Sequence, residues 1–222
     1  MATDKRARRA PQEADRRRDS GRTRERIISA AVGEFSAHGY SGARVTRIAK
    51  AAGLNAQLIS YHFDGKAGLY QAVLERGTSA LDPLPAADKP LSDIAADYVR
   101  VTGRNADITR LLAWEGLGDT PEAGEHTDIG RHSQGRVDFM HRIVDQLRER
   151  QAAGEFPDDL DAGHLLLALY AMASAPVLLP QVARQIFGAD ADRADFQEAF
   201  ARQVARLVAH LAAPHAAPHA AP

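Results

Sequence analysis

GLNAQLISYHFDGKAGL, Gly53 to Leu69, decides how the rest of the chain is read. A helix of barely two turns fits between Asn55 and the Asp64-Gly65 pair, and it carries Gln57, Ser60, Tyr61 and His62. Such a helix is unstable alone and has to be held by its neighbours. Asn55 suits an N-cap, and Leu54 with Ile59 makes a hydrophobic staple around it. Upstream, Val45, Ile48, Ala49 and Ala52 recur at helical spacing until Gly53. Earlier still, Ile27, Ala31 and Phe35, flanked by Ile28 and Val32, form a stripe that Gly39 ends. Downstream, a helix beginning near Lys66 carries Leu69, Val73 and Leu74.

Helix, glycine-containing turn and helix is the arrangement of a helix-turn-helix whose second helix enters the DNA major groove. Val45–Ala52 is then the support and Ala56–Phe63 the reading helix, with Ile59 and Phe63 inward and Ala56, Gln57, Ser60 and Tyr61 outward. Gln makes bidentate contacts to adenine, Ala and Tyr touch a thymine methyl, and Ser serves base edges or phosphate. Lys66 falls in a first helical turn, where the macrodipole disfavours a cation unless a phosphate lies there as well. Arg24 and Arg26, expected at the start of the first helix, meet the same condition. The plainer alternative is that all three are solvated surface charges.

The stretch Thr23 to Leu74 resembles the N-terminal domain of TetR-family transcriptional regulators. The resemblance rests on Gly39-Tyr40, Ile48-Ala49, Ala51–Leu54, Tyr61–Phe63, Lys66 and Leu69. It implies a bacterial homodimer on palindromic double-stranded operator DNA, usually a repressor released by a small-molecule effector. By position it implies that Thr46, Ala56, Gln57, Ser60 and Tyr61 approach bases, and that Arg44, Asn55, His62 and Lys66 hold phosphates.

Charge distribution agrees with a polyanion partner. Residues 1–76 hold 15 Lys/Arg against 8 Asp/Glu, a balance of +7, while the remainder holds 13 against 21, a balance of −8. Residues 1–21 have no large apolar residue after Met1 and are expected to form a disordered basic arm, solvated or laid along phosphates. The repeat Ala213–Pro222, with His215 and His219, is expected to be a disordered, solvated tail. Cysteine is absent, which excludes disulfides and thiolate metal sites. With no apolar leader, and with its longest apolar run, Leu165–Pro180, too short to span a bilayer, the chain is expected to be cytoplasmic with no membrane partner.

The proline-rich Leu81–Pro90 divides the chain into a DNA-binding domain, 22–82, and a helical effector-binding and dimerisation domain, 83–212. No stretch alternates like a strand, so the fold class is all-α: a three-helix helix-turn-helix domain followed by a helical domain. A helix over Leu165–Phe187 is apolar nearly all round between Leu165 and Leu179, so both its sides should be buried. The last helix spaces Phe196, Phe200, Val204, Leu207 and Leu211 as a coiled-coil-type seam that has to pack against something. The resemblance implies that these residues, with Leu165 and Leu169, form an intersubunit bundle, the expected dimer interface.

Glu115 falls on the apolar stripe of Ile108, Leu111 and Leu112, beside Trp114. A buried carboxylate requires a partner. That partner is either an effector group or an Arg such as Arg104 or Arg110, unless the stripe edge stays wet. Tyr98, Phe139, Met140, Tyr170 and Met172 are candidates to line the same effector pocket, or ordinary core. His126, His132, His141 and His164 share no metal-ligand spacing, and neither a phosphate loop nor a nucleophile elbow is present. No metal, no cofactor and no enzymatic activity are therefore expected. Two alternatives stay open: a DNA-binding dimer with no effector, and a helical small-molecule-binding protein with unseen activity.

Overall fold

The stripes between Ile27 and Leu74 close on one another to make a small reading head. The structure, a computed structural model, describes residues 13–81, 89–119 and 129–212, and the described residues that fall in regular elements are all helical. In the head, α1 (Glu13–Gly42) packs on α2 (Val45–Ala52) and α4 (Lys66–Leu81), with the short α3 (Gln57–Phe63) held against α4. Ile27, Phe35, Ile48, Ile59, Leu69, Tyr70 and Val73 are all essentially inaccessible to solvent. Burying each such side chain stabilises the fold by roughly 1.5–3 kcal/mol. Tyr70 meets Phe35 and Tyr40 edge-on, each at 5.1 Å between ring centroids.

Tyr40 reaches that cluster because Gly39 breaks α1. Its backbone (φ 65°, ψ −177°) lies where only glycine goes readily, and the last turn of α1 swings inward.

Two expectations about α1 are corrected. Part of the supposed disordered arm, from Glu13 to Gly21, is helical. Ala, Arg and Glu are strong helix formers, and extending a helix already nucleated by the head costs far less than starting one. Arg24 and Arg26 are consequently mid-helix residues, and the dipole argument does not apply to them. Residues 1–12, most of the proline-rich boundary and the 213–222 tail lie outside the described residues.

The body contains α5 (Leu91–Arg104), α6 (Ala106–Gly116), α7 (Ile129–Ala152), α8 (Ala162–Leu178), α9 (Pro180–Phe187) and α10 (Ala194–Ala212). α5 packs on both α8 and α10, burying Leu91, Ala95, Val99, Leu169, Ala201, Val204 and Val208. The N-terminus of α5 is tied to the end of α7: the Leu91 N–H donates to Glu155 Oε1 at 2.6 Å, and Arg150 holds the other oxygen at 2.8 Å. Arg100 forks onto Glu198 at 2.8 Å through two nitrogens, joining α5 to α10.

α6 belongs to both parts. Its Ile108 and Leu111 are buried in the head core. The approach is close: a Cβ on Gly77 of α4 would stand 2.5 Å from Ile108 Cγ2.

The helix expected over Leu165–Phe187 is two helices, α8 and α9, meeting at 80°. Pro180 has no N–H to continue the ladder and disfavours the helical region for Leu179 (φ −124°, ψ 48°). Nor is α8 covered on both sides in the single chain, because Leu167 and Leu178 are exposed. Among the described residues no single helix is long and apolar enough to cross a membrane.

Candidate functional site

α3 is seated by Ile59 and Phe63 and ended by Asp64 and Gly65, both at positive φ. Its outer side carries exposed Gln57 and Ser60 together with Tyr61, which is 80% exposed. A tyrosine this bare on an ordered helix has no role in the chain's own packing. Asn55 and Thr46 are exposed beside it. The N-cap of α3 is Ala56 and not Asn55; Asn55 Oδ1 instead accepts the Gln57 N–H at 2.9 Å from one residue earlier, leaving any phosphate contact to its amide NH2. Ala56, placed outward by the sequence reading, is instead half-buried against the head core. The His62 ring is half-buried between Tyr61, at 5.0 Å, and Phe63, at 6.2 Å.

The cations around α3 already have protein partners. Arg44 turns back to the Ser41 and Ala43 carbonyls at 3.1 and 3.4 Å. Lys66 Nζ stands 3.5 Å from Ser41 O and 4.5 Å from the centroid of the Tyr40 ring. Arg24 lies over Phe63 at 5.1 Å. Arg26 donates to Ala52 O at 2.6 Å, where a cation satisfies the last carbonyls of α2. Glu34 accepts the Arg44 N–H at 2.9 Å and Arg47 Nε at 2.7 Å, fixing the turn between α1 and α2. Burial would raise the Glu34 carboxyl, but these hydrogen bonds and the Arg47 charge hold it below its ordinary value. The structural roles of Arg26 and Arg47 were not read from the sequence.

Three polar contacts join α6 and the residues just after it to the head. Ser36 Oγ donates to Asp107 Oδ1 at 3.0 Å, Trp114 Nε1 to Ser36 O at 3.1 Å, and the Ser41 N–H to Asp119 Oδ1 at 3.0 Å. Trp114 is thus a joint residue and takes no place in the effector pocket the sequence suggested.

Two cavities lie a turn away. A cavity of about 380 Å³ lies between α4, α6, α7 and α8, walled by Leu74, Ile108, Leu112, Arg136, Phe139, Met140, His141 and Tyr170. A smaller one, about 70 Å³, adjoins it toward α5 and adds Tyr98, sharing the walls of Phe139, Met140 and Tyr170. Burial pushes the Tyr98 and Tyr170 hydroxyls above their ordinary pKa. Met172 packs on the body core and lines neither cavity.

Glu115 is paired with Arg136, at 2.7 and 2.8 Å, and with neither Arg104 nor Arg110. Donating to Glu115 keeps the pKa of the guanidinium above its ordinary value. A signal for this pair was present: Arg136, Phe139, Met140 and Ile143 follow i, i+3, i+4, i+7, so a cation sits on the stripe of α7 as Glu115 sits on that of α6.

The expected dimer residues divide. Leu169 and Val204 are buried in the chain's own core, and Leu165 and Phe200 are half-buried against it. Phe196 meets Phe187 edge-on at 5.3 Å and stacks on Phe200 at 6.2 Å. Only Leu207 and Leu211 are exposed, and Leu167, Val182, Ile186 and Phe187 join them at the surface. Spacing along one helix counts apolar stripes without saying which of them the chain itself covers.

Comparison with known proteins matches two family models. Residues 27–73 match the model described as bacterial regulatory proteins, tetR family, and residues 91–206 match the tetracyclin repressor-like C-terminal domain. The chain is 36% identical over 174 residues to the HTH-type transcriptional repressor SCO4008 of Streptomyces coelicolor, covering 77% of this chain and 86% of that protein. It is 28% identical over 162 residues to the HTH-type transcriptional repressor NicS of Pseudomonas putida, covering 69% and 75%. Among solved structures, the putative transcriptional regulator SCO4942 from Streptomyces coelicolor superposes with a TM-score of 0.66 at 27% identity, covering 85% of this chain and 97% of that one.

Proposed function

We propose a homodimeric, effector-released repressor, on the premise that this chain belongs to the TetR family of bacterial regulatory proteins. Membership makes it a DNA-binding transcriptional regulator. The outer side of α3, with Tyr61 bare beside Gln57 and Ser60, is the observation that carries the reading of a palindromic operator. The similar proteins from Streptomyces coelicolor and Pseudomonas putida named as repressors favour repression. No enzymatic step belongs to this function.

Two reading helices have to be held about one DNA turn apart, ~34 Å, which calls for two copies in fixed register. The exposed apolar side chains of α8, α9 and α10 supply a surface for that pairing: Leu167, Ile186, Phe187, Leu207 and Leu211 are poorly explained in a lone chain. Leu207→Glu combined with Phe187→Glu is expected to turn a dimer into a monomer in sedimentation at micromolar concentration. It should leave the helical content unchanged, because neither side chain is in the core. A dimer that survives both charges would move the interface elsewhere.

Release requires an effector that binds more tightly to the DNA-free arrangement than to the DNA-bound one. Support comes from α6, whose Ile108 both lines the larger cavity and packs in the head core. A ligand pressing on that wall moves a helix on which the head is mounted.

Selection of duplexes from a random pool, followed by affinity measurements across a salt series, tests DNA binding. Gln57→Ala should change base preference, with ~1–3 kcal/mol lost at the position it reads. Lys66→Ala should weaken all sequences alike and flatten the salt slope by about 1. The 3.5 Å contact of Lys66 with Ser41 O is at the limit for a hydrogen bond. Equal binding by wild type and both variants would remove the assignment.

A further inference from the structure

The larger cavity has one charged side chain of fixed sign in its wall, and that charge is already matched. Arg136 donates through both terminal nitrogens to the two oxygens of Glu115, and the two side chains are only 30% and 25% exposed. Solvent screens such a pair weakly, so the two act as one neutral unit. Apart from His141, which is exposed at the rim, the wall around it is aliphatic or aromatic, with Phe139, Met140 and Tyr170 shared with the smaller cavity.

Resting on the effector reading above, we propose that this site takes an uncharged, mainly apolar molecule with an aromatic ring and one hydrogen-bond acceptor, such as a ketone, ester or amide oxygen, directed at Arg136. A carboxylate ligand would have to share the guanidinium with Glu115, placing two like charges together, or strip Glu115 of its partner. An ammonium ligand meets the opposite obstacle: each Glu115 oxygen keeps a free lone pair, but the Arg136 guanidinium already paired with both oxygens stands beside them and repels a second cation. A neutral acceptor meets neither obstacle. A guanidinium has five N–H groups and a two-point pair uses two, so a carbonyl oxygen can be received without disturbing Glu115.

The size fits this class. About 380 Å³ lies within the range of small-molecule sites. Phe139, Met140 and Tyr170 line both it and the adjoining 70 Å³, and Met140 is the most adaptable of the three, so a rotamer change there helps the two act as one elongated site.

Four probes with one phenylalkyl body separate the possibilities: the methyl ester of phenylbutanoic acid, phenylbutanoate, phenylbutylammonium and butylbenzene. Binding to the full-length protein is read from the emission of its single tryptophan, Trp114, which neighbours Glu115 on α6, and from the melting temperature. The ester should bind at least tenfold more tightly than either ion and several-fold more tightly than butylbenzene. In the Glu115→Gln/Arg136→Met double variant, which leaves no unpaired charge, the ester should lose its advantage over butylbenzene. Met140→Trp, which fills the cavity and is read by melting temperature because it adds a second tryptophan, should weaken the ester tenfold or more. Either ion binding as tightly as the ester, no binding by the ester, or an unaffected Met140→Trp overturns the proposal. DNA affinity of the same samples is measured separately. Ester binding that leaves DNA affinity unchanged counts against the effector reading alone and leaves the ligand chemistry standing.

Discussion

Gly39→Ala is expected to destabilise the protein by about 3 kcal/mol, from backbone strain together with a lost hydrogen bond at the joint between head and body. At φ 65° and ψ −177° an alanine is held where L residues almost never stand. Its Cβ would also fall 1.9 Å from Asp119 Oδ2 and 3.2 Å from Trp114 Cδ2. The carboxylate can swing aside, but doing so gives up the Ser41 N–H. Trp114 is less free, being fixed by its bond to Ser36 O. Urea unfolding gives the stability, and the Gly39→Ala/Asp119→Ala double variant separates the two causes. The Asp119→Ala single variant loses only the hydrogen bond, and the further loss on adding Gly39→Ala to it measures the strain. A single variant within about 0.5 kcal/mol of wild type, the spread of ordinary surface substitutions, would show that the α1 kink carries no such constraint. Operator affinity should fall as well, because Tyr40, immediately after the kink, is the ring on which Lys66 rests.

Phe35→Ala has the larger expected effect, about 3–5 kcal/mol for a fully buried phenyl ring in a core that collapses only partly. Phe35 is wholly inaccessible and packs against both Tyr40 and Tyr70. The head has no spare core to absorb such a hole. Because Ile108 and Leu111 of α6 sit in that same core, the loss should reach the body and lower the midpoint of one cooperative transition. DNA binding should disappear together with the head, since α3 is too short to persist when the surface under Ile59 and Phe63 loosens. Phe35→Leu, keeping most of the volume, should cost ~1–1.5 kcal/mol and retain binding. Two separate transitions in Phe35→Ala, with the body melting at the wild-type midpoint, would show that α6 does not couple the parts.

The same features explain what was legible beforehand. The head could be read residue by residue because each break in it falls at a visible signal: Gly39 kinks α1, Gly53 ends α2, and Asp64 with Gly65 ends α3. Ile59 and Phe63 inward with Tyr61 outward follows from 3.6 residues per turn once the helix is granted. Where a signal was overlooked, the element came out wrong. Pro180 divides the helix expected to run on to Phe187, and strong helix formers carry α1 back to Glu13.

Local sequence, then, determined the all-α class, the order of the helices, the reading helix and its exposed edge, because periodicity, capping and turn chemistry act over a few residues. Only the tertiary structure decided that Glu115 meets Arg136, that Arg26 closes α2, that Trp114 leaves the pocket for the joint, and that Val204 turns inward while Leu207 stays outside. Each of these depends on how far one helix is rotated and slid against another that is distant in the chain. That choice is made by the packing of the whole core, and no window of sequence contains it.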